Sequence, residues 1–443
     1  MVLYLHYKGD ELMSKYINHI VIGIDIAKDF HYVAILAPNG DLYKQPFKIF
    51  NSVEGFNNLL SQIKKAEEEF NAPYAIFMES TGVYHLPLFH FLKKLISETF
   101  IINPLITNSI KNKNIRKVKT DKRDSISIAK LAKYEDIKSS NYQDSVIFDL
   151  KSLVREHIKL VETASIYKHK LASDIHLVFP NYTSVFGEVF SSTSLLLLIN
   201  YPTPEVILNT PKEKIITDIK SYSNCGLDWA TKKYTILIKV AEEANIIGVK
   251  STSLIYKIAQ NISLLQTLTL KIKGIKNELK NFVNSNTFPA TLRESIDLID
   301  SIPGFDFMTA VTILSEIGDY SRFKKAKQLV AFLGIDPSVS QSGKVTSSNN
   351  KMSKRGSQAA RKALYVAALV CVRKKCNGEY YNKVLYDYYK SKPDKVKKVL
   401  LGSIMHKLVN YIFSVLRDRT PFEVRNPKIH AQMYLQNHNK NIA

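Results

Sequence analysis

From Asn18 to about Tyr134, short β-branched apolar runs alternate with helical spacings. "HIVIGIDI" and "FHYVAILA" read as two strands joined by a tight turn, and "LYKQPFKIF" as a third after the turn signal "PNGD". "SVEGFNNLLSQIKKAEEEF" then takes up a helical period with Ser52 as its N-cap. "YAIFMES", "HLPLFHFLKKLI", "TFIINP" and "DSISIAKLAKYE" follow as strand, helix, strand and helix. Three consecutive strands followed by alternating helix and strand predict a mixed sheet with an antiparallel edge, in a domain over residues 18–145.

Beyond Val146 the strand signal fades. Leu150, Val154, Ile158, Val161, Leu171, Ile175 and Val178 recur at helical intervals, as do Ile258, Ile262, Leu265, Leu268, Ile272, Ile275, Leu279 and Phe282. The second set draws one apolar stripe along a long helix. Two such helices suit a coiled coil, either within one chain or between subunits. Residues 146–296 are therefore expected to be helical, with a small helical insertion over about 180–250 whose role the pattern leaves open. A third region, 297–425, opens on Pro303-Gly304 between two helical patterns, passes through a Ser- and Asn-rich loop and ends in basic helices. Residues 426–443 read as a loose tail. The fold class is thus α/β plus all-α.

Charge changes the picture more than size does. Across 443 residues the formal net charge is +22, and between Lys351 and Thr420 there are 17 Lys and Arg against 4 Asp and Glu. Such an imbalance points to nucleic acid first and an anionic membrane surface second. The membrane reading is the weaker one, because the apolar run Leu195–Ile199 is far shorter than the ~20 residues a span requires. Charges interrupt the N-terminus too early for a signal peptide, and Met13 could serve as an internal start. The cysteines Cys225, Cys371 and Cys376 make neither a disulfide frame nor a zinc site. The chain reads as intracellular, and any metal as a hard, oxygen-bound one.

Carboxylates stand where such a metal would sit. Asp25 and Glu79 each end a predicted strand, and ligands of open α/β sheets bind at the carboxyl ends of strands. Asp121 and Asp124, at i and i+3, share one face of a helix inside a run that also holds Lys119, Lys122 and Arg123. Singly, Asp121 reads as an N-cap, Glu79 as a turn acid and Asp25 as a solvated strand end. As a set they could hold two Mg²⁺ about 4 Å apart, the arrangement suited to phosphoryl transfer.

"GIDIAK", "ESTGVY", "INP" and "KTDKRDS" resemble the first domain of the DEDD transposases of bacterial insertion sequences, also called bridge-RNA-guided recombinases. "SIPGFDFMTAVTILSEIGD", "FLGIDPSVSQSGK" and "KMSKRGS" resemble that family's C-terminal transposase domain, in the family's order. The resemblance implies a RuvC-like, RNase H fold for the first domain, with Asp25, Glu79, Asp121 and Asp124 as an acidic tetrad binding Mg²⁺, for which Mn²⁺ can substitute. It implies a serine of the loop "SVSQSGKVTSSNNKMSKRGS" as nucleophile toward DNA. Position within the motif places it at Ser342, with Ser340 as the main competitor. Donor and target DNA, a guide RNA and a homodimer assembling to a tetramer are the implied partners, and the nucleoid within the cytoplasm is the implied location.

Lys344, Lys351, Lys354, Arg355, Arg361 and Lys362, in and after this loop, read as phosphate clamps or as a solvated helix face. "SIPGFDFMTAVTILSEIGD" also resembles a helix-hairpin-helix, but Asp306 occupies the position of the turn's second glycine, so phosphate-binding and purely structural readings both stand. Two other functions stay open: a metal-dependent junction-resolving or RNase H-like nuclease that uses water, and a non-catalytic nucleic-acid-binding protein derived from a transposase.

Overall fold

The computed structural model describes residues 14–80, 82–102, 107, 120–135, 145–337, 341–342, 345–346, 351–424, 429 and 432, with the backbone alone for 341–342 and 345–346. The possible leader before Met13 and nearly all of the predicted tail lie outside them. The chain divides into two compact units, Met1–Tyr142 and Gln143–Ala443.

In the first unit β1 (Ile20–Ile26), β2 (Phe30–Leu36) and β3 (Phe47–Phe50) form an antiparallel meander. Next come α1 (Val53–Phe70), β4 (Tyr74–Glu79), α2 (Leu86–Lys93), β5 (Thr99–Ile102) and α3 (Asp121–Tyr134). The sheet order is β3-β2-β1-β4-β5, with β4 parallel to both β1 and β5. This is the mixed sheet with an antiparallel edge that the sequence predicts. Ser52 caps α1 as expected, its hydroxyl accepting from Gly55 N at 3.1 Å.

Strand alternation sends Ile20, Ile22 and Ile24 into one core with α1 and α2, and Val21 into a second core with Ile128, Ala129 and Ala132 of α3. Gly23 and Asp25 share the Val21 face. At its far end α3 is tied to the start of the sheet, where Lys133 Nζ donates to His19 O at 2.9 Å and Ser14 Oγ to Ala132 O at 2.9 Å. Ser125 and Ala129 stand over Gly23. Helix α3 therefore runs antiparallel to β1, with its first turn directed toward the Asp25 end.

The second unit is built on two long helices, α4 (Ser145–Val178) and α9 (Thr252–Asn284), packed antiparallel within one chain. Of the two pairings the sequence leaves open, the intrachain one is realised. Along the predicted stripe Val161 is exposed and Ala164 is buried instead. Buried Asp174 accepts from Lys257 Nζ at 2.9 Å and Asn261 Nδ2 at 3.2 Å, a polar contact that fixes the register of the pair.

The distal ends of this pair share a core with a 3₁₀ turn at Tyr182–Ser184, α5 (Ser192–Asn200), α6 (Pro204–Asn209), α7 (Lys212–Ser221) and α8 (Leu227–Ile247), which make up the predicted insertion. Their other ends, Leu150, Val154, Leu279 and Val283, belong to a separate core. That core takes in α10 (Ala290–Asp300), α11 (Phe307–Ile317), α12 (Ala326–Leu333), α13 (Gln358–Cys371), α14 (Lys383–Lys390) and α15 (Lys397–Asp418). Asp306 caps α11, accepting from Thr309 N at 2.9 Å and Thr309 Oγ1 at 2.6 Å, so a carboxylate already occupies the helix end a phosphate would need. Among the described residues α15 alone is long and apolar enough to cross a membrane, yet Leu400, Ile404, Leu408 and Ile412 bury it in this core.

Candidate catalytic site and nucleic-acid groove

The parallel pairing of β1 with β4 reaches Ile24 opposite Met78, so Asp25 and Glu79 come next on adjacent strands. Both point to the α3 face, since Val21 on β1 and Ala75 and Phe77 on β4 pack there. The first turn of α3 begins at the same end. Asp25, Glu79 and Asp124 are thereby gathered at one end of one sheet face, with Asp25 half-buried and the other two buried. Asp121 is exposed as the first residue of α3, and Thr120, not Asp121, holds the N-cap position. Acids in the first turn also suit the positive end of the helix dipole.

An all-carboxylate donor set is the chemistry of a Mg²⁺ site. The side chains do not close on a single point: among the described residues no three His, Cys, Asp or Glu come close enough to hold a metal. The fit to a divalent cation is therefore one of placement and donor type. Lys122 and Arg123 are exposed beside these acids, while Lys119 lies outside the described residues.

In the second unit the serine loop is pinned at both ends. Pro337 bridges antiparallel to Met352, and Ser353 donates through N to Asp336 O at 2.8 Å and through Oγ to Asp336 Oδ1 at 2.5 Å. Two glycines let the chain cross itself here, since a Cβ on Gly334 would stand 2.4 Å from Gly356 N. Arg361 fastens this crossing by donating to Leu333 O at 3.3 Å and Gly356 O at 2.6 Å. Within the loop, Gln341–Ser342 pairs with Val345–Thr346, Ser342 opposite Val345. Ser340 and Lys344 lie outside the described residues.

Beside this anchor runs a groove of about 870 Å³, lined by Lys351, Lys354, Lys398, Lys407, His406 and Tyr388 and by no acid among the described residues. Its positive field registers on Tyr388. Burial opposes ionisation of the phenol, but a bond from Lys392, another from Ser403 and the charges of Lys392 and Lys407 outweigh it. The pKa falls below the ordinary value. Lys392 and Lys407 each sit 4.5 Å from the ring centroid.

Of the cations singled out in the sequence, Lys351 and Lys354 line the groove and Arg355 is exposed nearby. Arg361 and Lys362 lie outside the groove lining and hold bonds within the protein. The first is committed to backbone carbonyls, and the second pairs with Glu162 of α4. Lys398, His406 and Lys407 escaped the sequence reading. Their signal was a polar stripe at positions 398, 403, 406, 407 and 410, opposite the buried leucines of α15.

Residues 22–180 match a DEDD transposase model of the IS110 type, described as a transposase. Residues 296–383 match a model described as the transposase IS116/IS110/IS902 family. The chain belongs to the IS110 family of DEDD transposases. The first match spans all four acids, and the second spans Ser342, Lys351, Lys354, Arg355, Arg361 and Lys362 but not Lys398 or Lys407.

Among similar proteins, the insertion element IS110 uncharacterized 43.6 kDa protein of Streptomyces coelicolor is 20% identical over 92% of this chain and 96% of its own length. The pilin gene-inverting protein of Moraxella bovis is 29% identical, over 30% of this chain and 40% of its own. The transposase for insertion sequence element IS1533 of Leptospira borgpetersenii is 26% identical, over 49% and 68%. This IS110-family member is accordingly an enzyme of the DNA transposase and recombinase class.

Proposed function

We propose that the protein cuts and rejoins the DNA of an insertion sequence through a covalent serine–DNA intermediate, and that its first unit is a RuvC-like domain. The observation that carries this reading is that the loop's two ends, Pro337 and Met352, are bridged at the rim of a groove that offers four lysines and, among the described residues, no acid. Such a groove suits a phosphodiester strand.

Ser342 is the proposed nucleophile. Its Oγ forms a bond to the scissile phosphorus as the bond to the 3′-oxygen breaks. The serine proton is lost to a base, the 3′-oxygen takes up a proton, and the 5′-phosphate is left on the serine. Rejoining reverses these bond changes toward a new 3′-hydroxyl, so the energy of the phosphodiester is retained. Lys351, Lys354, Lys398 and Lys407 hold flanking phosphates. Asp25, Glu79 and Asp124, with Asp121 beside them, would hold Mg²⁺ or Mn²⁺, two ions in the fullest form. The metal would supply charge neutralisation at the phosphate.

Donor and target DNA are the substrates, a bridge RNA supplies sequence choice through base pairing, and dimers assemble to a tetramer acting at the nucleoid. The acids of one copy then act with the serine of another. In that arrangement cleavage waits for assembly.

The test is cleavage of nicked element-end DNA by the full chain with its RNA in Mg²⁺. Asp25→Asn is expected to abolish strand cutting and Ser342→Ala to abolish protein–DNA linkage. Cutting that survives Ser342→Ala but not Asp25→Asn would replace this reading with a water-using nuclease.

A further inference from the structure

Tyr32 lies directly opposite Asp25 across β1 and β2, and Lys48 lies directly opposite Tyr32 across β2 and β3. With Glu79 next along, one row of the sheet runs Lys48, Tyr32, Asp25, Glu79 on the face that carries α3. Phe30 pairs with Phe50 in the register two residues away, on the same face. Helix α3 packs against β1, β2 and β4, and its buried contacts on β2 fall at the Leu36 end. Among the described residues, the Phe30–Tyr32 half of β2 and the exposed positions of β3 are left open. Phe50 is 60% exposed and Lys48 is exposed, while Phe30 and Tyr32 are half-buried.

Phe30 and Tyr32 meet edge to face with centroids 5.8 Å apart. Lys48 Nζ lies 3.5 Å from the Phe30 centroid and 5.0 Å from that of Phe50. Two aromatic rings around one cation, with Tyr32 edge-on to one of them, therefore stand on the sheet, continuous with the acidic end.

A lysine on an edge strand is by itself an ordinary guard against strand pairing. Exposed phenylalanine is not, since it adds the apolar edge that the lysine is there to discourage. Rings beside a cation suit a partner that has flat apolar faces and a charged backbone at once, as unpaired bases do. Complementarity to a chain of net charge +22 selects the same partner.

We propose that Phe30, Tyr32, Lys48 and Phe50 form a stacking platform for an unpaired nucleic-acid strand, which it delivers along the sheet row toward Asp25. The platform rests on the proposed function, in that the acidic end must work on nucleic acid. The bases stack on the rings, and Lys48 leaves Phe30 to meet a phosphate.

The test uses the full chain with fluorescent single-stranded DNA, single-stranded RNA and duplex DNA of one sequence, each binding curve measured at several salt concentrations. Phe50→Ala is expected to weaken single-strand binding about tenfold and to leave duplex binding and the melting temperature unchanged. Phe50→Tyr, which keeps a ring, is expected to restore it. Lys48→Gln is expected to lower the salt slope by about 0.7 for the single strand. An effect confined to the RNA assigns the platform to RNA, and one confined to DNA assigns it to an unwound DNA strand.

Single-strand affinity unchanged by Phe50→Ala in a protein that still cuts DNA would overturn the platform alone. A change of oligomeric state on Phe50→Ala, with affinity intact, would overturn it in favour of a contact between copies. A wild-type protein that neither binds nor cuts nucleic acid would overturn the platform and the proposed function together.

Discussion

Gly23 of β1 lies directly beneath Ser125 of α3: a Cβ on the glycine would stand 2.4 Å from the Ser125 carbonyl oxygen and 2.4 Å from Ala129 N. The obstacles are backbone atoms of a packed helix, which cannot rotate aside. This close approach sets the height of α3 over the sheet, and with it the distance of Asp124 from Asp25 and Glu79. Gly23→Ala is expected to lower the apparent melting temperature of the first unit, at a cost of about 1–3 kcal/mol. It is also expected to reduce DNA cleavage while DNA affinity is kept. Calorimetry and a cleavage assay on the same preparation check both, and unchanged cleavage would separate helix height from the acids.

Glu316 of α11, 3% exposed, joins the long helix α4 to the C-terminal core. It accepts from Arg155 at 3.0 and 3.2 Å and pairs with Lys151 at 3.2 Å. Burial opposes its charge, but the Arg155 bond and the Lys151 and Arg155 charges outweigh burial and hold its pKa below the ordinary 4.5. A depressed carboxylate contributes stability that is present above 4.5 and lost as pH falls through the folded value. Glu316→Gln, which leaves half-buried Lys151 without its counter-charge, is expected to destabilise the second unit by about 1–3 kcal/mol. It should also flatten the acid limb of the stability profile. Thermal unfolding at several pH values from neutral to acid reads both effects.

The groove lysines should behave as phosphate contacts. Lys398→Gln and Lys407→Gln are each expected to weaken duplex binding across all sequences alike and to lower the slope of log affinity against log salt by about 0.9. Lys362→Gln, which loses only the Glu162 pair, is expected to change neither. Binding titrations at graded salt decide the matter.

Cysteine reactivity offers an independent check on the inner core. Cys371 is fully buried against the Gly304 turn, and burial pushes its thiol up to about 12. Cys225 and Cys376 are exposed. In the native protein a maleimide is expected to label Cys225 and Cys376 rapidly and Cys371 only after unfolding. Peptide mapping after timed labelling reads the order.

The sheet was legible in the sequence because its period of two and its turn residues are local signals, and Ser52 announced a cap that the backbone uses. Asp25 and Glu79 were legible as strand-end acids, since nothing in a core would keep them there. Which partner the long stripes would choose was not, because the same apolar spacing serves an intrachain pair and a dimer. Nor was the commitment of Arg361 and Lys362. Their charge is visible in the sequence, but the Leu333 and Gly356 carbonyls and the Glu162 carboxylate that occupy them come from segments brought close only by folding. Lys398 and Lys407 were hidden for the converse reason. They sit on the polar side of a helix whose apolar side dominates its sequence. The row that joins Asp25 to Tyr32 and Lys48 exists only once the strand register is known.

The most direct test of the account is the identity of the residue that carries DNA. Protein trapped on nicked element-end DNA in Mg²⁺ is digested with protease and nuclease, and the surviving phosphopeptide is sequenced by mass spectrometry. The predicted result is a phosphodiester on Ser342, absent when Mg²⁺ is withheld or when Asp25→Asn is used. A linkage to any residue outside the serine loop, or no linkage from a preparation that cuts DNA normally, would contradict it.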